Sequence, residues 1–186
     1  MRIIGGTFRG KKLFLPNDKY TRPLKDLVKE SIFNLIKHSH KIKINITNSL
    51  ILDLFSGSGS FGIECLSREA KKVFFIEDYS EAIRVLEKNL SSLKGINDYE
   101  IIKSDCFNFF KSNKKFKFKF NIIFIDPPYK ELKINEVIEE IKDQSLLNKN
   151  GIIIIHRHKK DNVQLSHKIN IFEERCYGIS KISFAH

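Results

Sequence analysis

Leu50-Ile51-Leu52-Asp53-Leu54-Phe55-Ser56-Gly57-Ser58-Gly59 is the stretch that decides the fold. Its first half reads as an apolar strand and its second as a glycine turn, after which Ser60 opens a helical pattern. The rhythm continues downstream. Short apolar strands are expected at 50–54, 72–76, 100–103, 120–125 and 151–155, with helices at about 60–69, 80–93, 105–112 and 131–143. Strand and helix in regular alternation imply a parallel sheet with both faces covered, the α/β class. Residues 169–184 alternate more like two antiparallel strands turning at Tyr177-Gly178. Open sheets of this class bind ligands at the carboxyl ends of their strands.

Upstream of the glycine turn, residues 2–15 read as two short strands around Gly5-Gly6 and Gly10. A helical pattern follows Arg22-Pro23 over residues 24–37. It places Leu24, Leu27, Val28, Ile32, Leu35 and Ile36 on one stripe. Residues 41–49 read as a polar linker, which puts a boundary between 1–43 and 44–186. The whole chain of 186 residues is about one domain long, and 41% hydrophobic content is enough for a core.

Formal net charge is +11, which suits a polyanion such as nucleic acid. The richness in Lys, Ile, Asn and Phe also fits adenine- and thymine-rich codons, a compositional source of lysine. Distribution separates the two causes. Residues 1–43 hold eleven Lys or Arg against three acids, so +8 of the total sits there. The basic stretch 111–119 reads instead as a solvated loop. Cys65, Cys106 and Cys176 are odd in number and widely spaced, which disfavours a disulfide framework or a zinc site. Without a signal-peptide core or a run of membrane-spanning length, the expectation is a cytoplasmic protein with no membrane partner.

Gly57-Ser58-Gly59-Ser60-Phe61-Gly62 satisfies GxGxxG after a strand, a weak signal alone. Glu77 ends the next strand, where a carboxylate can accept ribose hydroxyls. An NAD-linked oxidoreductase is the rival reading of that fingerprint. Asp53, immediately ahead of the turn, would crowd a pyrophosphate with like charge. No Lys follows the glycines, which excludes a P-loop. The acidic edge suits a ligand with a cationic end, such as the amino-acid part of S-adenosyl-L-methionine. Asp53 either reaches that ammonium group, directly or through water, or caps the loop backbone. After the third strand, Asp105 either accepts an adenine amine, with the backbone at Cys106 reading the ring edge, or caps the next helix. The two roles are compatible.

Asp126-Pro127-Pro128-Tyr129 closes the fourth strand. An exocyclic amine on a nucleobase is a poor nucleophile, since its lone pair is delocalised into the ring. Two acceptors on its two hydrogens help to turn that lone pair out of plane. The Asp126 carboxylate and the Pro127 carbonyl can supply them, and prolines add no competing N–H. Asp126 also stabilises the positive charge developing on nitrogen. Tyr129 offers a face on which a flipped-out base stacks.

These residues resemble the class I S-adenosylmethionine-dependent methyltransferases that act on exocyclic amines. More closely, the chain is similar to the bacterial 16S ribosomal RNA guanine-N2 methyltransferase family. Arg2-Ile3-Ile4-Gly5-Gly6, Arg9-Gly10-Lys11-Lys12-Leu13 and Thr21-Arg22-Pro23 carry the amino-terminal signature. Residues 52–59, Glu64-Leu66-Ser67-Arg68, Ile76-Glu77, Asp126-Pro127-Pro128-Tyr129 and Tyr177-Gly178 continue it over nearly the whole chain. The resemblance implies a Rossmann-like, seven-stranded, mostly parallel sheet with its last strand antiparallel, preceded by an N-terminal β-hairpin and helix. It implies a methyltransferase catalytic domain at 44–186 and an RNA-contacting extension at 1–43. Asp53, Phe55, Ser56, Gly57, Gly59, Glu77, Asp105 and Cys106 would surround S-adenosyl-L-methionine, leaving S-adenosyl-L-homocysteine as product, with no metal. The partner would be 16S ribosomal RNA in the small subunit or its assembly intermediate, met by a monomer. Arg2, Arg9, Lys11, Lys12 and Arg22 would contact phosphates, which position RNA without reading its sequence.

The proline turn by itself does not separate guanine N2 from adenine N6 or cytosine N4, in DNA or another RNA. A non-catalytic RNA-binding assembly factor is the remaining alternative. One departure stands out. After the strand at 152–155 the family often has an acid, whereas this chain has His156-Arg157-His158. These histidines read as surface or strand-end residues, and the pair is not a credible metal site.

Overall fold

The computed structural model describes residues 1–18, 24–112, 116–128 and 131–186. In chain order the elements are α1 (Asp26–His38), β1 (Leu50–Leu54), α2 (Ser60–Ser67), β2 (Lys72–Glu77), α3 (Ser80–Ser91) and β3 (Tyr99–Lys103). They continue with α4 (Cys106–Lys111), β4 (Phe120–Ile125), α5 (Ile134–Asp143), β5 (Leu147–His158), β6 (Ile171–Tyr177) and β7 (Ser180–Ala185). The seven strands form one sheet in the order β3-β2-β1-β4-β5-β7-β6. All pairings from β3 to β5 are parallel, and β7 runs antiparallel to β5 and β6. The α/β class and the antiparallel last strand are as expected.

Alternation along the strands divides the core between two faces. Ile51, Ile122, Phe124, Ile152 and Ile154 pack with buried residues of α1, α2 and α3. Leu52, Leu54, Ile123, Ile125, Ile153 and Ile155 pack with those of α4 and α5. Strands buried on both sides have no solvent face to encode, hence their nearly continuous apolar runs. Helix α2 is buried along all eight residues. Gly62 lets it lie that close, since a Cβ there would stand 2.3 Å from the ring of Phe75 on β2. No helix among the described residues is long and apolar enough to cross a membrane.

From β1 the chain winds outward to β2 and β3, then crosses back to β4 on the other side. Strand order therefore reverses between β1 and β4, where such sheets open a crevice. Asp126 follows β4 at that point, its N–H donating to the Leu54 carbonyl (3.4 Å).

Several local expectations need correction. The expected hairpin of strands at 2–15 reduces to one bridge, Arg2 with Lys12, around hydrogen-bonded turns. The two arms still bond to each other, Ile3 N–H to the Lys11 carbonyl (2.9 Å) and Leu13 N–H to the Met1 carbonyl (3.1 Å). The segment also bonds to α2, where Glu64 accepts the N–H groups of Ile4 and Gly5 (2.8 Å each). Residues 41–49 are no free linker, because Ile42 and Ile46 are buried in the core. Leu27 leaves its expected stripe and is 66% exposed, while Phe33 and Lys29 take the buried face. In the 111–119 stretch, Phe116 and Phe118 pack against Phe74 and Phe120, so that part is an aromatic cluster, not a solvated loop.

Candidate active site

The turn leaving β1 is bent by backbone conformation. Phe55 (φ 58°), Gly57 (φ 54°) and Gly59 (φ 80°) all lie in the left-handed region. For phenylalanine that is a strained state, sustained where surrounding bonds over-determine it. Those bonds are present. The Ser56 N–H and hydroxyl both donate to the Ile76 carbonyl (3.1 and 2.9 Å), and Gly57 N–H donates to Glu77 Oε2 (2.7 Å). The other Glu77 oxygen accepts from the Asp78 and Tyr79 amides. On the opposite side, Asp53 Oδ2 accepts Gly62 N–H (2.9 Å). Asp53 therefore caps the first turn of α2, not the loop itself. Burial nonetheless pushes its pKa well above the ordinary carboxylate value, with Asp126 and Glu77 adding to the rise against the Gly62 bond. Burial raises Glu77 as well.

These ends enclose a cavity of about 550 Å³, within the range of small-molecule sites. The β1 turn supplies Asp53 and residues 55–58, β2 supplies Glu77, and β4 supplies Phe124 and residues 126–128. Phe124 stacks on Phe61 (4.1 Å between centroids) and Phe61 on Phe33, which makes a rigid aromatic wall. The amino-terminal segment closes the mouth with Leu15, Pro16, Asp18 and Leu24, a contribution that sequence reasoning missed. The Tyr79 hydroxyl donates to Asp18 across the gap (3.2 Å). An acidic, partly aromatic cavity in a protein of net charge +11 suits a ligand that is cationic and carries a flat ring.

A second omission is sharper. His156 is 2% exposed, with Nδ1 2.8 Å from Asp126 Oδ1 and Nε2 2.9 Å from the Ser180 hydroxyl. It is neither a surface nor an idle strand-end histidine. The β4–β5 register, Phe124 with Ile154 and Ile125 with Ile155, carries on to set residue 126 beside 156. That register was the available signal, and it requires knowing which strands are neighbours. Among the described residues no group of acids, histidines and cysteines could hold a metal ion.

The comparisons with known proteins agree with this geometry. A family model described as Conserved hypothetical protein 95 matches residues 1–186. Ribosomal RNA small subunit methyltransferase D of Haemophilus influenzae is 34% identical over 181 residues, 96% of this chain and 90% of that protein. The chain belongs to the ribosomal RNA small subunit methyltransferase D family. The Escherichia coli K12 protein of the same name is 34% identical over 155 residues, 83% of this chain and 73% of that one. The solved structure of yhhF from Escherichia coli matches with a TM-score of 0.83 and 27% identity, over 100% of this chain and 96% of that chain.

Not every residue that the family resemblance singled out meets at the cavity. Asp105 caps α4, its side chain accepting Asn108 N–H (2.8 Å), and it lies outside the cavity lining together with the buried Cys106. Both follow β3, next to the β2 end that carries Glu77. Phe107, one residue on, touches Phe55 edge to face (5.9 Å). Arg2 is engaged by Asp26, and the Lys11 ammonium donates to the Ser92 carbonyl. Arg9 and Lys12 are exposed. Tyr129 and Arg22, two members of the family's motifs, lie outside the described residues.

Proposed function

We propose that this chain transfers a methyl group from S-adenosyl-L-methionine to the exocyclic N2 amine of a guanine in 16S ribosomal RNA, releasing S-adenosyl-L-homocysteine. One observation carries the reading: an acidic ligand cavity and the Asp126-Pro127-Pro128 turn share one wall at the strand-order reversal. The residues present fit the cofactor. Asp53 and Glu77 would hold its cationic and ribose parts, with Phe55, Ser56, Gly57 and Gly59 shaping the turn beside it; Asp105 and Cys106, outside the cavity lining, would reach it only from the β3 end. When bound, it supplies an electrophilic methyl on sulfur. Asp126 Oδ and the Pro127 carbonyl hold the two amine hydrogens, so that the nitrogen lone pair leaves the ring plane. The carboxylate stabilises the charge that grows on nitrogen and takes the proton after the new bond forms. Residues 1–43 hold RNA phosphates and 44–186 do the chemistry, in a monomer acting on the small subunit or its precursor.

The test uses small ribosomal subunits from a strain lacking this protein, incubated with the wild-type chain and cofactor. Mass spectrometry of the nucleosides is expected to show N2-methylguanosine. Methyladenosine or methylcytidine in its place would reject the substrate assignment, and no methylated nucleoside would reject the enzyme.

Asp53→Asn separates cofactor binding from stability. The amide oxygen can still accept Gly62 N–H, but the buried charge is gone. The folded state holds the Asp53 proton more tightly than the unfolded chain does. Asp53 therefore lowers stability as pH rises through 3.8 toward its raised value, and remains unfavourable above it. In cofactor-free protein at neutral pH the Asn variant is expected to melt a few degrees higher. Its affinity for S-adenosylhomocysteine should fall by about 10- to 100-fold, the worth of a charge-assisted bond. Calorimetry reads the affinity and a melting curve the stability; an unchanged affinity would detach Asp53 from the cofactor.

Arg9 and Lys12 are exposed, as is Arg2, which Asp26 engages, so the phosphate contacts are assigned first to Arg9 and Lys12. Each alanine substitution is expected to reduce the salt slope of RNA binding by about one. Lys11→Ala should change it less, because that ammonium is committed to Ser92. Filter binding across a salt series decides it, and three equal slopes would refute the assignment.

A further inference from the structure

We propose that His156 is a positioning residue for Asp126 and that Ser180 anchors the far edge of its ring, an inference that rests on the methyl-transfer reading above. The three side chains form one line at the edge of the cavity. Asp126 is 15% exposed and lines the cavity, whereas His156 and Ser180 behind it are buried. Water does not compete at the inner two positions.

The hydrogen positions follow from chemistry. An ionised carboxylate brings no proton, so the 2.8 Å contact requires His156 Nδ1 to carry the hydrogen and donate it to Asp126 Oδ1. In the neutral ring Nε2 then bears the lone pair. The Ser180 hydroxyl, 2.9 Å away, is placed to donate to it. The ring cannot flip without losing both bonds in a buried place, and the opposite tautomer would lose the bond to Asp126. One oxygen of Asp126 is thereby tethered, and the plane of its carboxylate is fixed as it faces the cavity. An acid at position 156, as the family resemblance leads one to expect, would instead set two carboxylates against each other. Histidine gives this chain a donor where that arrangement offers a second acceptor.

The role is tested in the full chain with His156→Leu, His156→Asn and Ser180→Ala. The readouts are single-turnover methylation of small ribosomal subunits, the Kd of S-adenosylhomocysteine and the melting temperature. His156→Leu is expected to slow transfer by about 30- to 100-fold while the Kd stays within about two-fold, as for a misaligned reacting group. His156→Asn keeps an N–H near the Nδ1 position and should recover to within about five-fold of wild type. Ser180→Ala should slow transfer by about three- to ten-fold. Added to Asp126→Ala, His156→Leu should cost nothing further, because its effect passes through that carboxylate.

A His156→Leu variant that keeps pace with wild type overturns the proposal. So does a loss of rate and cofactor affinity together that Asn does not rescue. Should the Leu variant fail to fold, Ser180→Ala at the full wild-type rate overturns it as well. A wild-type chain that methylates no guanine defeats the functional reading; an active wild type with an unaffected Leu variant defeats the positioning role alone.

Discussion

Asp126→Ala is expected to slow methyl transfer by about 10²- to 10³-fold, the range for losing one preorganised electrostatic group at a reaction centre. The cofactor's own contacts survive the change. Its loop is held by Glu77 on Gly57 and by Asp53 on Gly62, neither of which touches Asp126 through a bond. Affinity for S-adenosylhomocysteine should stay within about two-fold. The loss should appear equally in kcat and kcat/KM, the mark of an interaction made in the transition state. Asp126→Asn should do no better, since its amide nitrogen would present hydrogens to an amine that needs acceptors. A cost in stability is also expected, because His156 loses the acceptor at 2.8 Å and a buried donor is left unmet, worth about 1–3 kcal/mol. If the alanine variant transfers methyl within ten-fold of wild type, Asp126 is not the group that activates the amine.

Glu64→Ala should be the most destabilising single change outside the site. Glu64 is fully buried on α2 and accepts four groups or charges: the amides of Ile4 and Gly5, Arg68 Nε at 2.9 Å and the Lys29 ammonium at 3.6 Å. Lys29 is equally buried, and burial lowers its pKa against the pull of Glu64. Its remaining bonds run to the Arg2 carbonyl and the Ser60 hydroxyl. Removing the carboxylate strands a cation in the core and leaves two amides without an acceptor. Breaking a buried pair costs about 3–5 kcal/mol, or roughly 6–20 °C in Tm for a domain of this size. Glu64→Leu combined with Lys29→Met removes both charges and should be milder than Glu64→Ala alone. A double variant that melts lower than the single would show that the pair's charge is not the source of the loss. Undocking of residues 1–13 should also weaken RNA binding in the single variant, readable at temperatures where the rest of the chain is folded.

The sheet was legible because its strands are apolar on both faces and its helices are periodic, so that β1 and β4 were placed to the residue. Loops with chemical punctuation were legible too. Asp53, Gly57, Glu77 and Asp126-Pro127-Pro128 all stand at strand exits, and the fold gathers them around one cavity. What escaped depends on tertiary neighbours. Ile42 and Ile46 look like isolated apolar residues among polar ones until the core covers them. Lys29 reads as a solvated helix residue, since burying an ammonium is sensible only once Glu64 is known to face it. Leu27 sits on the helical stripe by number, yet no core element covers it among the described residues and it is exposed. His156 looked idle because nothing in a linear reading aligns residue 156 with residue 126; that takes the pairing of β4 with β5.

Strand β7 follows β6 in the chain but lies inside it in the sheet. As residues leave the ribosome in order, β6 emerges first and finds no edge it can join, because the berth at β5 belongs to a segment still unmade. The two, paired antiparallel with each other, can dock as one ribbon. The same docking event brings Ser180 up behind His156, so the sheet is extended past β5 and the arm behind Asp126 is steadied in a single step. A chain cut before Ser180 would keep its whole cofactor loop and yet lack the brace for its chemistry.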